Sequence, residues 1–150
     1  MTLSFPMKSL LLSSGIQPPI PKLINDMPVY QYAMIIDDDD IALLLAERLI
    51  CMADFARQSH CFQKAETALK WIEDSMNQIS LKPDIILVDL HMKGMDGYTF
   101  LKKMDDFFEP GNAPNVYVLS STIYSDDRRR LKKFSFVKKI IMKPLKIEDL

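Results

Sequence analysis

The sequence predicts a single α/β domain built on a mostly parallel, doubly wound sheet. Two observations carry that expectation. From Val29 onward, short apolar runs alternate with longer amphipathic stretches, the order of repeated βαβ units. The strongest run, "DIILVDL" (84–90), is apolar without alternation, as a parallel strand covered on both faces requires.

Taken in order, "YAMII" (32–36) reads as a buried strand. Ile41 to Met52 follows as a helix with apolar residues at three- and four-residue spacing. "ARQSHCF" (56–62) is a weaker strand, and Ala65 to Met76 a helix with Leu69, Trp71 and Ile72 among its apolar positions. After the strand at 84–90 come a helix "YTFLKKMDDFF" (98–108), a strand "NVYVLSS" (115–121) and a short basic helix "DDRRRLKKF" (126–134). The last strand is "FVKKIIM" (136–142), and "KIEDL" begins one more helix as the sequence reaches Leu150.

The 150 residues suit one domain with a full core. Apolar residues make up 48% and charged residues 26%, with a net charge of −1, so overall charge points to neither a nucleic acid nor a membrane surface. No apolar run approaches the ~20 residues that span a bilayer. Cys51 and Cys61 form no C-x-x-C pair, and their apolar-patterned segments predict reduced core thiols in a cytosolic protein. His60 and His91 are too few and too scattered for a metal site of their own. Residues 1–28 carry prolines from Pro6 to Pro28 and no sustained periodicity, which predicts an irregular tail before a domain at 29–150.

In a parallel sheet, ligands bind beyond the carboxyl ends of the strands. The first strand ends in Asp37, Asp38, Asp39 and Asp40, the third in Asp89, the fourth in Ser120, Ser121 and Thr122, and the fifth in Lys143-Pro144. Carboxylates, a hydroxyl and an ammonium should therefore meet on one edge. Two carboxylates about 4 Å apart repel by roughly 4 kcal/mol near a protein surface. Such a cluster either faces water or holds a cation. Mg2+ suits it, preferring oxygen ligands and keeping waters and room for phosphate oxygens.

The acidic pair in "IIDDDD", "DIILVDLHMKGMDG" around Asp89, "VYVLSS" at Ser120 and "MKPL" at Lys143 together resemble a response-regulator receiver domain, the phosphoacceptor module of two-component signalling. The resemblance runs from about Tyr30 to the end. It implies a flavodoxin-like, five-stranded parallel sheet of order 2-1-3-4-5, with the last helix cut short. It makes Asp89 the nucleophile that takes a phosphoryl group from a sensor histidine kinase or histidine phosphotransfer protein. Asp38 and Asp89 would bind Mg2+ directly, Asp37 through water, and His91 through its backbone carbonyl, with the His91 side chain in solvent. Ser120 would give a hydroxyl, and Lys143 an ammonium, to the phosphoryl oxygens. His91 and Thr122 occupy positions that set phosphoryl lifetime in this family. Asp39 or Asp40 is left to cap the first helix.

Two departures from the family pattern stand out. Lys93 replaces a frequent proline, and Ile140 takes the place of an aromatic residue three before the lysine. The basic run at 128–133 with Lys138 and Lys139 is expected to dock an acidic protein partner rather than nucleic acid. No residues remain for a helix-turn-helix output domain, so a stand-alone, cytoplasmic protein–protein switch is expected. The last helix of the family would leave an apolar face beside the first helix open if it stops at "KIEDL". The alternative is a phosphohydrolase similar to the haloacid dehalogenase family, with D-x-D at Asp37 and Asp39 and its acidic pair at Glu148-Asp149.

Overall fold

The computed structural model describes residues 27–78, 82–122 and 124–150. The expected tail at 1–28 lies outside them except for Met27 and Pro28. Five strands, β1 (Tyr30–Ile36), β2 (Ala56–Phe62), β3 (Ile85–Asp89), β4 (Asn115–Ser120) and β5 (Val137–Met142), form one sheet in the order β2-β1-β3-β4-β5. Every pairing is parallel. The helices between them are α1 (Asp40–Met52), α2 (Ala65–Ser75), α3 (Gly97–Asp105) and α4 (Ser125–Leu131). The expected fold and strand order are both found.

The core explains why the central strands show no alternation. Met34 and Ile36 of β1, Ile86 and Val88 of β3, and Val116 and Val118 of β4 point to the face covered by α2, α3 and α4. Their neighbours Ala33, Ile35, Ile85, Leu87, Tyr117 and Leu119 point to the other face, against Leu43, Ala46 and Ile50 of α1. Both faces are dry, so both parities are apolar.

The last two helices fall short of the patterns that predicted them, while α1 ends at Met52 as expected. At the end of α3, the Asp106 and Phe107 amides donate to the carbonyls three residues back, of Lys103 and Met104, tightening the last turn until it no longer continues. At the end of α4, Phe134 bonds back to Leu131 and is buried against Tyr98 and Phe136 instead of extending the helix. "KIEDL" makes a 3-10 turn, Ile147–Asp149. Around it the expected open apolar face is present, with Ile41 76%, Leu44 54% and Ile147 46% exposed. A groove of about 380 Å3 there is lined by Ile41, Ala42, Leu45, Leu119 and Leu145.

One expectation is corrected. Cys51 is exposed and Cys61 half-buried, and neither forms a disulfide. The buried stripe of α1 is Leu43, Ala46 and Ile50, and Cys51, one residue past Ile50, is turned about 100° away from it. Burial, with the Glu47 charge adding to it, pushes the Cys61 thiol up to about 11, so this thiol stays protonated and unreactive near neutral pH.

Candidate functional site

The strand ends assemble one polar site. Backbone bonds between neighbouring strands fix its geometry: Asp37 N–H donates to Phe62 C=O, Leu90 N–H to Leu119 C=O, and Lys143 N–H to Ser120 C=O at 2.9 Å. Asp37, Asp89 and Ser120 are buried, while Asp38 is exposed. One carboxylate oxygen from each of Asp37, Asp38 and Asp89 lies within 4.8 Å of the others. Among the described residues this is the group of potential metal ligands that the fold creates.

Lys143 closes the cluster from the fifth strand. Its Nζ lies 2.6 Å from Asp37 Oδ2 and 3.1 Å from Asp89 Oδ2. Burial alone would lower the pKa of this ammonium, but the Asp37 and Asp89 carboxylates overcome that, and the net shift is upward. The Asp89 carboxyl is also raised, first by burial and then by the Asp37 charge, against the opposing pull of the His91 amide and Lys143. Three carboxylates against one ammonium leave a formal excess of two negative charges. A divalent cation would neutralise it. Asp37 Oδ2 is fully buried with no well-aligned hydrogen bond and meets Lys143 only as an ion pair.

The loop after β3 is bound to these carboxylates. Asp89 Oδ1 accepts the His91 amide at 3.2 Å, Asp38 Oδ2 the Lys93 amide at 2.9 Å, and Glu66 Oε1 the Met95 amide at 3.0 Å. Asp96 then caps α3 by accepting the Thr99 amide. His91 is exposed, as expected. The Ser120 hydroxyl is held within its own loop, donating to the Thr122 carbonyl and accepting the Thr122 amide. The structure thus joins Asp37, Asp38, Asp89 and Lys143 directly, while Ser120 is bonded to Thr122. The Lys143–Pro144 bond is cis.

Sequence reasoning overlooked Gly97. A Cβ there would lie 2.5 Å from the Asp89 carbonyl oxygen and 2.9 Å from Leu90 Cα, so only glycine lets α3 start against the site strand. The D-G pair at 96–97 was its signal in the sequence. For Glu66 no sequence signal existed, because its contact joins residues 29 apart.

The phosphohydrolase alternative is overturned here. Asp39 is spent capping α1, its Oδ1 accepting the Ile41 amide. Asp149 accepts the Lys146 amide within the 3-10 turn. Neither Glu148 nor Asp149 joins the carboxylate group, and its third member is the buried Asp89, for which the alternative has no role.

Comparison with known proteins agrees with the geometry. The chain is 32% identical over 78 residues to the two-component response regulator ARR2 of Arabidopsis thaliana. That stretch is 52% of this chain and 11% of the relative, so the chain matches about a tenth of that protein's length. Its fold is similar to that of a two-component response regulator from Cytophaga hutchinsonii, with a TM-score of 0.72, 24% identity, and coverage of 79% and 89% of the two chains. The receiver domain of the histidine kinase CKI1 from Arabidopsis thaliana, crystallised with Mg2+, superimposes with a TM-score of 0.66 at 18% identity, covering 82% and 89%. The family model described as response regulator receiver domain matches residues 33–150, and the chain belongs to that family, a signalling module of two-component systems.

Proposed function

We propose that Asp89 accepts a phosphoryl group from the phosphohistidine of a sensor histidine kinase or a histidine phosphotransfer protein. The observation that carries this is Lys143 Nζ set between the buried Asp37 and Asp89 carboxylates, beside the exposed Asp38. An Asp89 carboxylate oxygen attacks phosphorus, the P–N bond breaks, and its electron pair stays on the donor imidazole. Lys143 lies next to Asp89 and stabilises the charge spreading over the phosphoryl oxygens. For Ser120 to reach those oxygens its hydroxyl must leave Thr122, which couples modification to the loop that leads into α4.

The donor set suits Mg2+, which Asp38 and Asp89 would hold directly, Asp37 through water, and His91 through its backbone carbonyl. Asp37 has one oxygen engaged by the Asp39 amide and the other by Lys143, which suits an outer role. Mg2+, when bound, would neutralise charge on the phosphoryl oxygens. The domain thus catalyses only its own phosphorylation and dephosphorylation.

The output is a protein–protein surface. Between α4 and β5 runs a groove of about 230 Å3, lined by Arg128, Lys132, Lys138 and Lys139 over Val137 and Ile140. Its charge suits an acidic protein segment, and Ile140 adds apolar floor where the family usually has an aromatic ring. Unpaired thiols, and the lack of any helix among the described residues able to cross a membrane, accord with a cytoplasmic setting.

The deciding experiment is mass spectrometry after incubation with Mg2+ and acetyl phosphate. Wild type should gain one phosphoryl group and Asp89→Asn none. Equal labelling of both proteins sinks the assignment.

A further inference from the structure

We propose that Glu66, on the first turn of α2, is a positioning residue for the phosphoacceptor loop. The inference rests on the cation site proposed above. The loop from Leu90 to Asp96 contains no proline, and it includes Gly94 at φ +78°, so little in its covalent structure stiffens it. Its shape is instead imposed by carboxylates from three elements. The amides of His91, Lys93 and Met95, at every second residue, donate to Asp89 of β3, Asp38 of the β1–α1 loop, and Glu66 of α2. Two of these anchors are site residues. Glu66 is the third, and it is not in the site.

Gly94 suits this anchor. It adopts a left-handed turn that a side chain would strain, and a Cβ there would stand 3.1 Å from Glu66 Oε1, so that the carboxylate would have to shift by a few tenths of an ångström. Without Glu66, the Met95 amide turns to water and the loop's far end is released. The His91 carbonyl, and Asp38 where the Lys93 amide holds it, then lose the frame that would orient them toward a cation. Glu66 touches no reacting atom; it acts through the loop.

The test compares Glu66→Ala with Glu66→Gln in the full chain. Both remove the same charge, but only glutamine keeps a carbonyl oxygen at that reach. Amide exchange at Met95 and calorimetric Mg2+ affinity are the readouts, with Asp38→Asn as the control for the cation site. In Glu66→Ala, Met95 exchange should quicken about tenfold and the Mg2+ Kd rise about three- to tenfold, the yield of one lost hydrogen bond. Glu66→Gln should restore both to within about twofold of wild type. If alanine and glutamine variants bind Mg2+ equally while Asp38→Asn does not bind it, the role of Glu66 is overturned and the cation site stands. If wild type and Asp38→Asn bind Mg2+ alike, the cation site fails, and unchanged Met95 exchange in Glu66→Ala would overturn the loop anchor separately.

Discussion

Asp89 sits where burial and chemistry conflict. The residue is 4% exposed, and burial, followed by the Asp37 charge, outweighs the His91 amide and Lys143 to hold its pKa above the ordinary carboxylate value. A group whose folded pKa is raised stabilises the fold below its unfolded pKa and loses that contribution as pH rises through the folded value. At neutral pH the metal-free wild type therefore carries a destabilising charge. Asp89→Asn removes it at constant shape and leaves Lys143 paired with Asp37 at 2.6 Å. The variant should be more stable than metal-free wild type at pH 7 by on the order of 1 kcal/mol, about 3 °C in Tm. The advantage should be smaller at pH 4, because wild-type Asp89, its pKa raised, regains its proton as the pH falls. Thermal scans in a chelating buffer at both values check this, and an equal gain at both would show that charge is not the cause. The residue types at this site were legible because each follows a strand. The position of Cys51 was not, since a helix pattern with apolar residues on several faces does not say which face is inside.

At the scale of elements, strands and the first two helices were legible nearly to the residue, and the ends of α3 and α4 were not. Strand ends are set by the site itself, where apolar runs stop at Asp37, Asp89, Ser120 and Lys143. Helix ends depend on tertiary packing, as when Phe134 leaves the α4 pattern to fill the core beside Tyr98 and Phe136. Which acidic residue caps α1 also needed coordinates, and it is Asp39. The start of α3 yields a sharper test. A methyl at Gly97 would collide with backbone atoms of Asp89 and Leu90, which cannot rotate away as a flexible side chain could. Gly97→Ala should cost about 2–3 kcal/mol and disturb Mg2+ binding as well, because the displaced strand carries Asp89. Gly111 is the comparison. It has positive φ, at +85°, which Gly97 does not, and a Cβ there meets nothing within 4 Å. Gly111→Ala should cost only the backbone strain, about 1 kcal/mol, and leave Mg2+ affinity unchanged. Urea titrations of the two variants separate the cases; a loss at Gly97 no larger than that at Gly111 would mean that the backbone contact is relieved cheaply.

On the scale of the whole molecule, one sheet serves two cores. The same strands send Met34, Ile36, Ile86 and Val88 to one face and Ala33, Ile35, Ile85 and Leu87 to the other. Neither core can open without breaking the backbone ladder that holds the other, so residues 30–150 should unfold in a single transition. The site lies on the edge of that shared sheet, with Asp37 and Asp89 placed by β1 and β3 at its centre. A cation bound there to the folded state alone stabilises the entire domain through linkage. At a Mg2+ concentration about a hundred times Kd the gain should be about 2.7 kcal/mol. The urea midpoint should rise while the slope stays fixed, because the area exposed on unfolding is unchanged. Trp71 packs against the α2 side, so its fluorescence follows that face, and far-ultraviolet circular dichroism follows the backbone as a whole. The two signals should coincide with and without Mg2+ and shift together, and Asp38→Asn should abolish the shift in both. If Mg2+ moved the dichroism curve but left the Trp71 curve in place, the two faces would be independent units and the sheet would not couple them.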